Sequence, residues 1–103
     1  MKIQIISGSN RDGRGSAKVA KWVEKTAKEQ ASNVEFEVVD LADFDLPVMK
    51  EAIPPMGNKD RGLTGDAAKW VEKLGEADGF IIVTPEYNHS IPAPLKNAID
   101  WLY

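Results

Sequence analysis

The chain has no cysteine, only one histidine and no long apolar run. Without cysteine there is no disulfide, no zinc–thiolate centre and no thiol nucleophile. A lack of disulfides also suits the reducing cytoplasm, which is the expected location. The lone histidine, His89, stands in a polar loop and reads as solvated. Apolar stretches such as Phe80–Val83 fall far short of the ~20 residues that cross a bilayer, and MKIQIISGSN turns polar too early for a signal peptide. Bases are in deficit, thirteen against sixteen acids for a net charge of −3. Nucleic-acid binders usually carry the opposite balance. Neither a membrane nor a nucleic acid is therefore expected as a partner. Asp43 and Asp45 have no companions at ligand spacing, so no metal site is expected.

What remains is an ordinary globular composition, 43% hydrophobic and 28% charged over 103 residues, enough for one domain and one core. Lys2–Ile6 reads as a strand, ended by the turn-rich SGSNRDGRGS. Ser16–Gln30 reads as a helix with Val19, Ala20, Val23 and Ala27 on its inner face. Val34, Phe36 and Val38 alternate with glutamates, as in a strand whose two faces differ in burial. From Asp40 to about Asp66 runs a proline- and glycine-rich connection. Its apolar residues are too thinly spread to suggest a core, which favours an interface. A helix is expected over Ala67–Glu76, an unbroken apolar strand covered on both faces over Phe80–Val83, and a last helix from Ala93 or Pro94. The hexapeptide AKWVEK occurs at 20–25 and again at 68–73. It implies two helices lying on a sheet in the same way, with Trp22 and Trp70 both packed.

Alternating strands and helices give an α/β fold, a three-layer parallel sheet with right-handed crossovers. The expected strand order is 2-1-3, the first half of the flavodoxin-like order 2-1-3-4-5. Ligands of such sheets bind beyond the carboxyl ends of the strands, where the winding reverses. Two unusual loops meet there, SGSNRDGRGS after the first strand and TPEYNHSIP after the third.

The first loop offers Ser7, Ser9, Ser16, Arg11, Arg14 and three glycines, and it runs into a helix N-terminus. Glycines let backbone amides approach an oxyanion, and the helix dipole favours its charge. A solvated loop with Ser16 as a cap is the plainer alternative. The nucleotide-binding pattern G-x-x-x-x-G-K-[ST] is narrowly missed: Arg14 replaces the lysine and Gly15 the hydroxyl. The dinucleotide pattern G-x-G-x-x-G fails as well, so a terminal monophosphate fits best. In the second loop Pro85 stops the strand, having no N–H for the ladder. Glu86, Tyr87 and Asn88 then offer amides, an aromatic face and a carboxamide to a flat ring, while Pro92 and Pro94 stiffen the exit.

GSNRDGR, the VAKWV helix, DLADFDLPV and ADGFIIVTPEYNHSIPAPLKNAIDWL together resemble the NADPH-dependent FMN reductase family, which includes quinone, chromate and azo-dye reductases. The resemblance implies FMN as cofactor and NADPH or NADH as reductant. It implies that Ser9, Arg11, Arg14 and Ser16 hold the FMN phosphate, and that Pro85, Glu86, Tyr87 and Asn88 line the isoalloxazine. No protein nucleophile is implied: hydride passes through flavin N5 to a small acceptor such as a quinone.

Five strand–helix units need on the order of 150 residues. Residues 1–103 therefore correspond to the N-terminal portion of the family domain, with strands 4 and 5 absent. The third strand would then lie at an edge with open ladder groups. Such a chain is a fragment, or is completed in a larger assembly, or pairs two-fold into a 2-1-3-3-1-2 sheet; a homo-oligomer is expected. Two other functions stay open: a non-catalytic flavin-binding or assembly module, and a P-loop-like nucleotide binder.

Overall fold

Three parallel strands and three helices follow one another in the expected order. The structure, a computed structural model, describes residues 1–102. Strand β1 is Lys2–Ser7, helix α1 Ser16–Gln30, β2 Glu35–Asp40, α2 Gly65–Leu74, β3 Gly79–Val83 and α3 Ala93–Asp100. The sheet order is β2-β1-β3, as expected, with Ile5 in register with Val38 on one side and Ile81 on the other. β1 is central, and Gln4 through Ser7 are buried.

Alternation along β1 divides the protein into two layers around the sheet. On one face Ile6 joins Val39, Leu41, Trp70, Leu74, Leu95, Ala98 and Trp101 in a single core under α2 and α3. Gln4, buried on this same face, donates from Nε2 to the Lys73 carbonyl at 2.8 Å. On the other face lie Ile5 and Ser7, under α1. Ser7 Oγ and Ser16 Oγ are 3.2 Å apart there, both buried.

Three expectations need correction. The two AKWVEK copies do not do the same job. Trp70 is 1% exposed, packs edge-to-face on Phe44 with ring centres 5.1 Å apart, and donates Nε1–H to the Ala98 carbonyl at 2.9 Å. Trp22 is 65% exposed. Helix α1 buries the line through Ser16 and Ala20, so Val19 and Trp22, three residues apart, fall on its outer flank.

The second correction concerns β3, which is not covered on both faces. Phe80, Ile81 and Ile82 are 48%, 38% and 45% exposed. Among the described residues only β1 pairs with β3. The strand lies at an edge, and its apolar residues face outward on both sides.

The third concerns the connection between β2 and α2, which does reach the core. Leu41 is buried within it, and Phe44, Leu46, Met49 and Leu63 pack against it. Polar anchors allow so few apolar residues to suffice. The Pro47 carbonyl accepts Asn97 Nδ2–H at 3.0 Å and Trp101 Nε1–H at 2.9 Å. Asn97 Oδ1 in turn accepts Met49 N–H at 2.9 Å. Arg61 donates to the Trp101 carbonyl at 2.7 Å and to Glu51 at 2.8 Å. The segment is a strap tied to α3.

Candidate functional site

The loops after β1 and β3 are joined at Gly8. Its N–H donates to the Val83 carbonyl at 2.8 Å. A side chain there would sit 2.9 Å from Leu95 Cδ2 and 3.0 Å from Val83 O. Only glycine lets β1, the end of β3 and the start of α3 come this close. Beyond this junction opens a cleft of about 370 Å³ lined by Ser9, Arg11, Asp12, Gly13, Arg14, Gly15, Ser16, Pro85 and Tyr87. Small-molecule sites run from about 300 to 1,000 Å³.

The donors in this cleft are held in place. Ser9 is buried, and its Oγ accepts the Arg11 N–H at 3.2 Å. Gly13 has φ of 68°, the left-handed turn that reverses the loop and that glycine adopts at no steric cost. Helix α1 follows with Gly15 at its N-cap, no side chain capping it and no acid in its first turn. Ser16 is the first helical residue and bonds sideways to Ser7, so it is not the cap considered in the sequence reading. An uncapped first turn leaves amide donors and the positive end of the helix dipole facing the cleft. Two guanidinium groups and one carboxylate, Asp12, line the same walls. The arrangement suits an oxyanion with several acceptor oxygens.

The second loop contributes less than expected. Pro85 and Tyr87 are half-buried and line the cleft, whereas Glu86 and Asn88 are exposed outside it. A tight reversal explains this. Tyr87 and Ser90 exchange backbone bonds of 2.9 and 3.1 Å, and Asn88 and His89 between them have φ of 51° and 65°. Two successive left-handed residues make the turn that matches strand twist, and asparagine and histidine tolerate that region better than most side chains. The turn directs Asn88 and His89 to solvent. His89 Nδ1 lies 3.4 Å from Glu86 Oε1, with both side chains largely exposed.

Of the expected site residues, the cleft thus gathers Ser9, Arg11, Arg14, Ser16, Pro85 and Tyr87. It leaves Glu86 and Asn88 on the rim. Arg14 is tied to Asp40 at the end of β2. Sequence reasoning gives no sign of that partner: Asp40 ends β2, on the side of β1 away from the point where the winding reverses.

The fold and cleft define an α/β protein of flavodoxin type with a donor-rich loop at the switch point of its sheet. The chain belongs to the NADPH-dependent FMN reductase family, whose sequence model matches residues 1–103. It is 40% identical over 102 residues to an NAD(P)H-dependent FMN reductase of Schizosaccharomyces pombe, covering 99% of this chain and 50% of that protein. It is 36% identical over 104 residues to the quinone reductase of Escherichia coli, covering 98% and 50%. The chain spans about half the length of these curated relatives. Among solved structures, azoreductase AzrA superposes with a TM-score of 0.70 at 23% identity over 98% of this chain and 55% of its own, a likeness of fold.

Proposed function

We propose that residues 1–103 form the phosphate-gripping N-terminal portion of an FMN-binding reductase domain, which serves an NAD(P)H-dependent oxidoreductase acting on a small acceptor such as a quinone. The observation that carries this reading is the cleft itself: hydroxyls, guanidinium groups and uncapped helix amides converge where the sheet winding reverses. FMN, when bound, supplies the hydride relay between nicotinamide and acceptor. The chain's own residues bind and orient it. Ser9, Arg11, Ser16 and the α1 amides would receive the phosphate with Arg14 beside them, and Pro85 and Tyr87 would face the ring. Glu86 and Asn88, exposed outside the cleft, would act on the ring only from its rim. The reductant is NADPH or NADH, the location cytoplasmic, and the assembly a homo-oligomer joined along the open β3 edge.

Flavin-fluorescence quenching with FMN and with riboflavin, which lacks the phosphate, tests this reading. Arg11→Ala should weaken FMN binding by about ten- to a hundredfold, the worth of one charge-assisted hydrogen bond, and leave riboflavin almost unchanged. Equal losses for the two ligands would remove the phosphate assignment. A second reading, a flavin-binding module without turnover, is favoured by the single aromatic wall of the cleft. Quenching without NADPH consumption separates it from the first.

A further inference from the structure

One arginine of the cleft is already engaged. Arg14 Nη2 donates to Asp40 Oδ2, and the Arg14 Nε is buried with no partner among the described residues. Asp40 is itself fixed from the other side: its Oδ1 accepts the Ala42 N–H at 3.0 Å, capping the short turn Leu41–Asp43, whose Leu41 is buried in the core. Between the buried Ser9 and the buried Ser16, every residue is exposed except Arg14. Apart from the Gly15 carbonyl, which accepts the Lys18 and Val19 N–H groups of α1, the described bonds of this span are Arg14 N–H to the Arg11 carbonyl at 3.2 Å and Arg11 N–H to Ser9 Oγ. Among the described residues, the guanidinium of Arg14 is the one side chain that fastens the loop to another strand.

We propose that Arg14 and Asp40 are positioning residues, a strut that holds the phosphate loop against the carboxyl end of β2. The phosphate itself is taken by Arg11, Ser9, Ser16 and the α1 amides. This rests on the reading above and changes the role of one residue in it. The physical reason is that a guanidinium held against a carboxylate has its charge largely offset there, so its field toward a second anion is weaker even though further N–H donors are open. The same pair, anchored through Leu41 to the core, spares the loop the entropy of being ordered at binding. Pre-organisation of this kind acts on affinity without touching the ligand.

The two roles differ in sign. Asp40→Ala removes an anion and frees Arg14. If Arg14 bound phosphate directly, the preference for FMN over riboflavin would hold or rise. The strut predicts that the preference falls by about ten- to a hundredfold, the effect of losing one charge-assisted link. It also predicts that Arg14→Ala/Asp40→Ala is no worse than either single change, with riboflavin affinity and the circular dichroism spectrum unchanged. Should Asp40→Ala fail to fold, Asp40→Asn carries the same opposed signs, because it retains an acceptor for Ala42 while weakening the tie to Arg14. A wild-type chain without preference for FMN overturns the phosphate reading, and the strut with it. A wild-type preference that Asp40→Ala preserves or strengthens overturns the strut alone.

Discussion

Replacing Gly8 by alanine tests how tightly the two loops are clamped. The new methyl would meet Leu95 Cδ2 at 2.9 Å and the Val83 carbonyl at 3.0 Å. Leu95 is 1% exposed, so it has little room to retreat. Val83 O is backbone and already accepts the Gly8 N–H at 2.8 Å, so a shift there stretches a ladder bond. Overpacking of this kind costs about 1–3 kcal/mol. The loss of glycine freedom in the unfolded chain returns about 0.4–1 kcal/mol. The expected net loss is about 1–2 kcal/mol, or ~4–16 °C in Tm for a domain near 100 residues. Urea unfolding followed by tryptophan fluorescence measures it. Leu95→Ala is the control, because it removes the methyls that the new side chain strikes. Leu95→Ala alone should cost about 2–5 kcal/mol, and clearly less in the Gly8→Ala background if the clash is real. Strict additivity, or a Gly8→Ala protein as stable as the wild type, would refute the argument.

The repeated hexapeptide supplies its own comparison: Trp70→Ala should cost about 3–5 kcal/mol and Trp22→Ala no more than about 0.5 kcal/mol, read from urea midpoints of the two variants. Stability should also depend on pH through the cluster at the amino ends of the strands, where Lys2 lies 2.9 Å from Glu76 and 3.0 Å from Glu37. Hydrogen bonds from Lys73, then Lys2, hold Glu37 below its ordinary value of 4.5, and bonds from Lys2, then Lys73, do the same for Glu76. Hydrogen bonds to Glu76 and Glu37 hold Lys2 above the ordinary 10.5, and Glu37 followed by Glu76 raises Lys73. Depressed carboxylates stabilise the fold above their unfolded value and stop doing so as pH falls through the folded one. Raised lysines contribute fully below 10.5, and that contribution fades at higher pH. Glu37→Gln should therefore flatten the acid limb of the stability profile; an unchanged acid limb would show that other carboxylates govern it.

Much of the fold was legible because local rules and tertiary context agree in it. Helix α1 begins and ends where its sequence says, and the strand order follows from right-handed crossovers together with the alternating pattern of the second strand, which marks an edge. Disagreement arises where burial depends on a neighbour. The run Phe80–Val83 states that the strand is apolar, not which neighbours are present to cover it. The peptide AKWVEK cannot reveal which flank of its helix meets the sheet; that is set by the helix's rotation against neighbours far along the chain. The strap at 40–66 hides its attachment in polar anchors, Asn97, Trp101 and Arg61, which periodicity does not weigh. At the site, the donors were readable as residue types. The Arg14–Asp40 pair spans 26 positions, and the outward turn at Asn88–His89 is a backbone property; neither leaves a local signature.

On the proposed reading, the cleft serves the phosphate and the ring of FMN unequally, and this has a functional consequence. Every donor proposed for the phosphate comes from α1 and the loop that leads into it from β1, and Gly8 ties that loop to β3. For the ring, by contrast, the described residues offer Pro85 and Tyr87 as cleft walls. Stacking and burial of a tricyclic surface need cover on more than one side, and the open flank of β3 provides none. On the proposed reading, phosphate recognition is self-contained in this portion, whereas most of the affinity for the ring depends on whatever closes against that flank. The 103-residue chain should therefore discriminate FMN from riboflavin even where its absolute affinity for either is low. Closing the flank should raise both affinities by a similar factor and leave their ratio nearly constant.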